Sequence, residues 1–143
     1  MSIRYFEDVT VDDELELVEQ MPTEEKAIEF FGKDNPTNPA FQDAKIGKAQ
    51  GFGGALVPGL LKIAWLTQYA SAWAGTEATV KSIRVAYRRP DIAGKPLTLS
   101  GRVVDKREEG GENIVELEGV TLADGEPSVR GSVKIAMSSK PST

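Results

Sequence analysis

Two short stretches hold the residues suited to chemistry. The first is the polar loop GKDNPTNP, residues 32–39, where Asp34 is the one carboxylate and Asn35 and Asn38 each precede a proline. Asp34 is placed to take a proton as a lone general base, or to cap a turn. Asn38 cannot accept a proton, so its roles are to orient a water or to make an ordinary turn before Pro39. Lys33 reads as a solvated lysine. The second stretch is GFGGALVPGLL, residues 51–61, in which Val57, Pro58 and Gly59 lead into a long apolar run. A helix that starts at Gly59 has first-turn N–H groups without acceptors and a partial positive charge, a ready site for a carbonyl oxygen or an anion. Glycine there lets a ligand or another backbone approach closely.

The missing residue types narrow the chemistry further. The 143 residues include no histidine and no cysteine. That removes the commonest general base, the commonest metal ligand, thiol nucleophiles and any disulfide framework. No metal site and no cofactor are expected. The glycine cluster Gly51–Gly54 is not a phosphate loop, because G-x-x-x-x-G-K-[ST] is absent. The net charge of −5 argues against nucleic-acid and anionic-membrane partners. MSIRYFEDV has no apolar run of the signal-peptide kind, so a cytoplasmic location is expected.

The elements that must position these residues follow from periodicity. Gly59 to about Trp73 is a helix that is apolar on nearly every side, yet too short to span a membrane and interrupted by Lys62, Thr67, Gln68 and Ser71. It should be a core helix with other structure curled around it. Trp65, Tyr69 and Trp73, at helical spacing, are core residues or the lining of a tunnel. Before it, Asp13–Glu19 alternates with Leu15 and Leu17 on one side, a half-buried strand. Thr23 is an N-cap, followed by Glu24 and Glu25 and a short helix whose apolar face holds Ala27, Ile28, Phe30 and Phe31. Phe41, Ala44 and Ile46 fit a turn of helix.

Four strands are expected after the core helix: Val80–Arg88, Leu97–Val104, Ile114–Leu122 and Val129–Met137. Gly110-Gly111 and Asp124-Gly125 are hairpin turns. Residues 1–143 therefore read as one domain of class α+β, an antiparallel sheet wrapped around a central apolar helix, the hot-dog arrangement. The four later strands are expected to run as a meander, and the sheet's open edge to be covered by a second copy or a partner.

Over nearly its full length the chain resembles the MaoC-like dehydratases, or (R)-specific enoyl-CoA hydratases. YFEDVTVDDEL is similar to the family's opening, FGKDNPTNPAF to its G-D-x-N-P-x-H loop, and GFGGALVPGLL to its G-F-x-x-x-I-A-H-G-M-L turn. SAWAG, IRVAYRRPDIAGKPL and LSGRVV continue in the same order. The likeness is greatest to small subunits of heteromeric (R)-3-hydroxyacyl dehydratases and steroid-side-chain hydratases. It implies an acyl-CoA or acyl-carrier-protein thioester as ligand and a hot-dog dimer partner, either a second copy or a histidine-bearing MaoC-like subunit.

In that family the loop Asp and His activate the water that adds to the acyl thioester. Here Lys33 stands at the Asp position, Asn38 at the His position and Pro58 at the turn His. Asp34 lies one residue from the catalytic place. VPGLL is also similar to the other hot-dog dehydratase family, whose helix Glu has no counterpart in Leu60–Ala64. Carried over by the resemblance are a substrate-binding set of Asn35, Asn38, Val57, Pro58 and Gly59, with the Gly59 N–H on the thioester carbonyl. Arg84, Arg88 and Arg89 are either contacts for the phosphates of CoA or a carrier protein, or solvated arginines on a strand's outer face.

Three readings stay open. The first is a non-catalytic subunit of a heteromeric hydratase or dehydratase. The second is a self-sufficient hydratase or hot-dog thioesterase using Asp34. The third is a binding module for acyl thioesters.

Overall fold

The computed structural model describes residues 3–31, 39–41 and 43–142, with Phe31 described by its backbone alone. Lys33, Asp34, Asn35 and Asn38 lie outside the described residues. Five strands form one antiparallel sheet: β1 (Val18–Gln20), β2 (Ala78–Tyr87), β3 (Leu97–Glu109), β4 (Glu112–Ala123) and β5 (Glu126–Met137). Among the described residues three α-helices accompany them: α1 (Glu24–Phe31), α2 (Ala44–Ala49) and α3 (Gly59–Ala74).

Alternation sets much of the sheet. Val115, Leu117, Val133 and Ile135 are buried in one cluster with Ala70 and Ala74 of α3, while Glu116, Glu118 and Lys134 between them are less buried. The two tight turns are of the expected kind. Gly110 and Gly111 both have positive φ (58° and 82°), as do Asp124 and Gly125 (53° and 77°). A two-residue hairpin needs this handedness to match the strands' twist.

The strand order is β1-β3-β4-β5-β2. Only β3, β4 and β5 form a meander; β2 pairs with β5, from Ala78↔Met137 to Tyr87↔Val129. The expected four-strand meander is therefore corrected. The reason is the segment 88–96, where Pro90 and Gly94 break the strand pattern. This segment does not turn back as a hairpin but crosses to the far side of the sheet, pinned on the way to residues 55–57.

The first strand is also shorter than expected. Leu15 is buried at 6% exposure, but Leu17 is 69% exposed. Glu14 bridges to Arg102, whereas Val18 pairs with Leu99, so four steps along this segment face three along β3. The extra residue breaks the alternation and turns Leu17 outward.

Helix α3 lies on the sheet through Leu61, Trp65, Leu66, Ala70 and Ala74. Its opposite side, with Leu60 (61% exposed), Ala64 and Gln68, faces away from the sheet. Thr23 caps α1 as expected, its Oγ accepting from the Lys26 N–H at 3.1 Å. Glu24 in turn accepts the Ala44 N–H at 3.1 Å, tying the start of α2 to α1. Among the described residues no helix is long and apolar enough to cross a membrane.

Candidate functional site

The start of α3 is held from both sides. Pro58 is buried and extended (φ −59°, ψ 132°), and its carbonyl accepts the Leu61 and Lys62 N–H groups at 3.1 and 3.3 Å. The N–H groups of Gly59 and Leu60 precede the first intrahelical bond, so α3 has no acceptor to offer them. Upstream, the Leu56 N–H donates to the Ala40 carbonyl at 2.7 Å. The Val57 N–H donates to the Asp91 carbonyl at 2.9 Å, and the Ala93 N–H to the Ala55 carbonyl at 2.8 Å. The crossover is thus clamped alongside the approach to the helix. The small-residue turn is needed for contact: a β-carbon on Gly47 would lie 1.9 Å from the Gly54 carbonyl oxygen.

A cavity of about 600 Å³ opens over this helix start. Its walls are Phe41, Leu56, Val57, Gly59, Leu60 and Lys62 on one side and Tyr87, Arg88, Arg89 and Pro90 on the other. Pro58 lies between two lining residues, Val57 and Gly59, so this segment runs along the cavity wall. Gly59 is required for space rather than for its φ angle. A β-carbon there would come within 2.9 Å of the Tyr87 ring. Partial burial raises the pKa of the Tyr87 phenol, which holds it in the neutral form.

One charged pair lies beside the cavity. Lys62 is one turn into α3 and 2% exposed. Its Nζ donates to Asp91 Oδ2 at 3.0 Å and sits 5.6 Å from the centroid of the Tyr87 ring. Asp91 is 3% exposed, and its buried Oδ1 has no hydrogen-bond partner among the described residues. From the sequence alone Lys62 is only an interruption of an apolar helix, and Asp91 has no role. The available signal was a single lysine three residues after Gly59, within an otherwise apolar turn. Its partner lies 29 residues away on the crossover, which the expected meander did not anticipate.

The arginines divide. Arg88 is exposed at the cavity mouth. Arg89 is occupied, donating to the Ala123 carbonyl at 2.6 Å and pairing with Glu126 at 3.1 Å. Arg84 is exposed on β2, away from the cavity lining.

A second cavity, of about 470 Å³, lies toward the far end of α3 and includes Tyr69, Trp73, Arg4 and Glu16. Its polar groups serve the fold. Arg4 stacks 4.7 Å from the Trp73 ring centroid and its Nε donates to the Trp73 carbonyl at 2.8 Å. The Tyr69 hydroxyl donates to the Glu16 carbonyl at 2.5 Å. Trp65 is buried in the core, so of the three helix aromatics none lines the cavity at Gly59. Among the described residues no cluster of acidic side chains is arranged to hold a metal ion.

Neither a family model nor a curated protein matches the sequence. Solved structures do match. The R-hydratase PhaJ1 from Pseudomonas aeruginosa superposes with a TM-score of 0.84 at 17% identity, over 95% of this chain and 86% of that one. The chain has the hot-dog fold. The MaoC-like dehydratase from Rhodospirillum rubrum gives 0.81 at 19% identity, over 97% and 99% of the two chains. The ChsH1–ChsH2 complex from Mycobacterium tuberculosis gives 0.78 at 21% identity, over 90% and 98%. Structural neighbours of this hot-dog chain are thus MaoC-like dehydratases and (R)-hydratases, and they include a complex of two different chains.

Proposed function

We propose that this chain is the non-catalytic subunit of a heteromeric (R)-type acyl-thioester hydratase or dehydratase. One observation carries the reading: an apolar cavity opens over a helix start whose Gly59 and Leu60 N–H groups have no acceptor among the described residues, in a sequence that has no histidine. The acyl chain lies in the cavity, and its thioester carbonyl accepts from the Gly59 N–H. Such a donor, fixed where negative charge gathers, stabilises an enolate without supplying any proton transfer. Arg88 at the mouth offers charge to the phosphates of CoA or of a carrier protein's prosthetic arm. The acid and base come from a second hot-dog subunit seated along β2, whose outer edge has no neighbouring strand among the described residues. A ten-residue edge left open invites pairing.

The test is turnover. Hydration of crotonyl-CoA is measured with the pure chain and with the chain reconstituted with a MaoC-like partner that carries G-D-x-N-P-x-H. The expected result is activity only in the pair, because positioned acid–base groups contribute about 10²–10⁴-fold. Full turnover by the pure chain would overturn the reading. Asp34→Asn would then show whether Asp34 is the base of a self-sufficient enzyme.

A further inference from the structure

A buried ion pair is a poor device for stability. Taking both charges out of water costs most of what their attraction returns, and apolar residues of similar volume usually serve the fold as well or better. Lys62 and Asp91 are nonetheless both almost fully buried, side chains 3% and 2% exposed, 3.0 Å apart. The pair is also incompletely satisfied. An ammonium carries three donors, and Lys62 uses one of them on Asp91 Oδ2. The other carboxylate oxygen has no hydrogen-bond partner among the described residues. Lys62 lines the cavity, three residues after Gly59 and so on the same side of the helix.

We propose that the Lys62 ammonium binds the ligand's thioester oxygen alongside the Gly59 N–H, with Asp91 as the positioning residue that holds it there. This rests on the reading of the cavity as an acyl-thioester site. Asp91 is well built for that task. Its carbonyl is fixed by the Val57 N–H at 2.9 Å, so the carboxylate is anchored to the same short segment that leads into the helix start. A fixed positive charge in an apolar cavity acts through little intervening water, and a hydrogen bond from a charged donor is stronger than one from an amide alone. The pair then has a function that an apolar pair cannot fill, discrimination of a carbonyl from a methylene at the sulfur.

Binding of two ligands differing at that atom tests it: butyryl-CoA, a thioester, and S-butyl-CoA, its thioether without the oxygen. Calorimetry compares the wild-type full chain with Lys62→Met/Asp91→Leu, which replaces both charges at once. Circular dichroism and thermal melting check the fold. Should that variant not fold, Lys62→Gln/Asp91→Asn keeps the hydrogen bond and removes the charges. The wild type is expected to prefer the thioester. The double variant is expected to bind S-butyl-CoA as the wild type does and to lose roughly ten- to a hundredfold on butyryl-CoA. A folded double variant that keeps the preference overturns the role of Lys62 and leaves the cavity reading standing, as does a wild type that binds both ligands equally. A wild type that binds neither ligand overturns both.

Discussion

The ring of Tyr87 covers Gly59 so closely that a β-carbon at position 59 would sit 2.9 Å from its Cε1, Cζ and hydroxyl oxygen. The end of β2 and the start of α3 are therefore in contact only because residue 59 has no side chain. Tyr87 is 51% exposed, so the ring can be pushed aside, but only by changing the cavity wall.

Gly59→Ala is accordingly expected to destabilise by at most about 1 kcal/mol, the low end for overpacking because the half-exposed ring can swing aside, and to do so in the wild-type background alone. In Tyr87→Ala the same substitution should cost almost nothing. Urea unfolding of the two single variants and the double variant reads this coupling, and additive costs would contradict the contact. In the Tyr87→Ala background, Gly59→Pro also removes the N–H with little further crowding. Activity of the reconstituted pair should then fall by about 10²–10³-fold if that N–H serves the thioester.

Lys62 and Asp91 make a stability prediction that is independent of any ligand. Lys62→Met alone leaves a buried carboxylate unpaired and should cost about 3–5 kcal/mol, and Asp91→Leu alone should cost a similar amount. The double substitution should return to within about 1 kcal/mol of wild type, or exceed it. Denaturant midpoints for the three variants decide. A double variant as unstable as the worse single one would show that the pair holds the crossover in place.

Tyr69 sets an alkaline limit. Burial first, and the Glu16 charge second, push its phenol from 10.0 up to about 12. The folded state thus favours the protonated ring. Its stabilising contribution is complete below the unfolded value of about 10 and is lost as the pH rises through about 12. Phenolate absorbance should show a late-titrating tyrosine that disappears in Tyr69→Phe. That variant's unfolding midpoint should also fall less steeply over this pH window. Unchanged phenolate titration would remove Tyr69 from the account.

The open edge of β2 predicts association. Light scattering of the pure chain at micromolar concentration should give a dimer, formed by two copies when no other subunit is present. Co-expression with a histidine-bearing hot-dog subunit should replace it with a mixed pair. A stable monomer in both preparations would contradict the partner proposed for β2.

The sequence showed the parts of the fold where local pattern and global packing agree. Val115, Leu117, Val133 and Ile135 alternate as they must, and the GG and DG pairs sit in turns that require their φ angles. Alternation does not say which strands are neighbours, so β2 was misplaced beside β3. A one-residue bulge is invisible to it as well, and Leu17 came out on the wrong face. The helix start at Gly59 was legible because unpaired N–H groups follow from any helix. The Lys62–Asp91 pair was not, since its halves meet only through the crossover.

That crossover has a consequence for the newly made chain. β2 emerges from the ribosome well before β5, the strand it pairs with among the described residues. Until Glu126–Met137 is available, β2 has no strand to pair with, and the Arg88 and Arg89 N–H groups at the start of the crossover lack the Ser128 carbonyl that accepts them. A nascent chain halted before Glu126 thus carries a ten-residue edge strand open on both sides, next to an apolar helix. The wall formed by Tyr87 and Arg88 is fixed only when β5 pairs with β2, and a chain stalled short of that point exposes the kind of unpaired edge that chaperones shield.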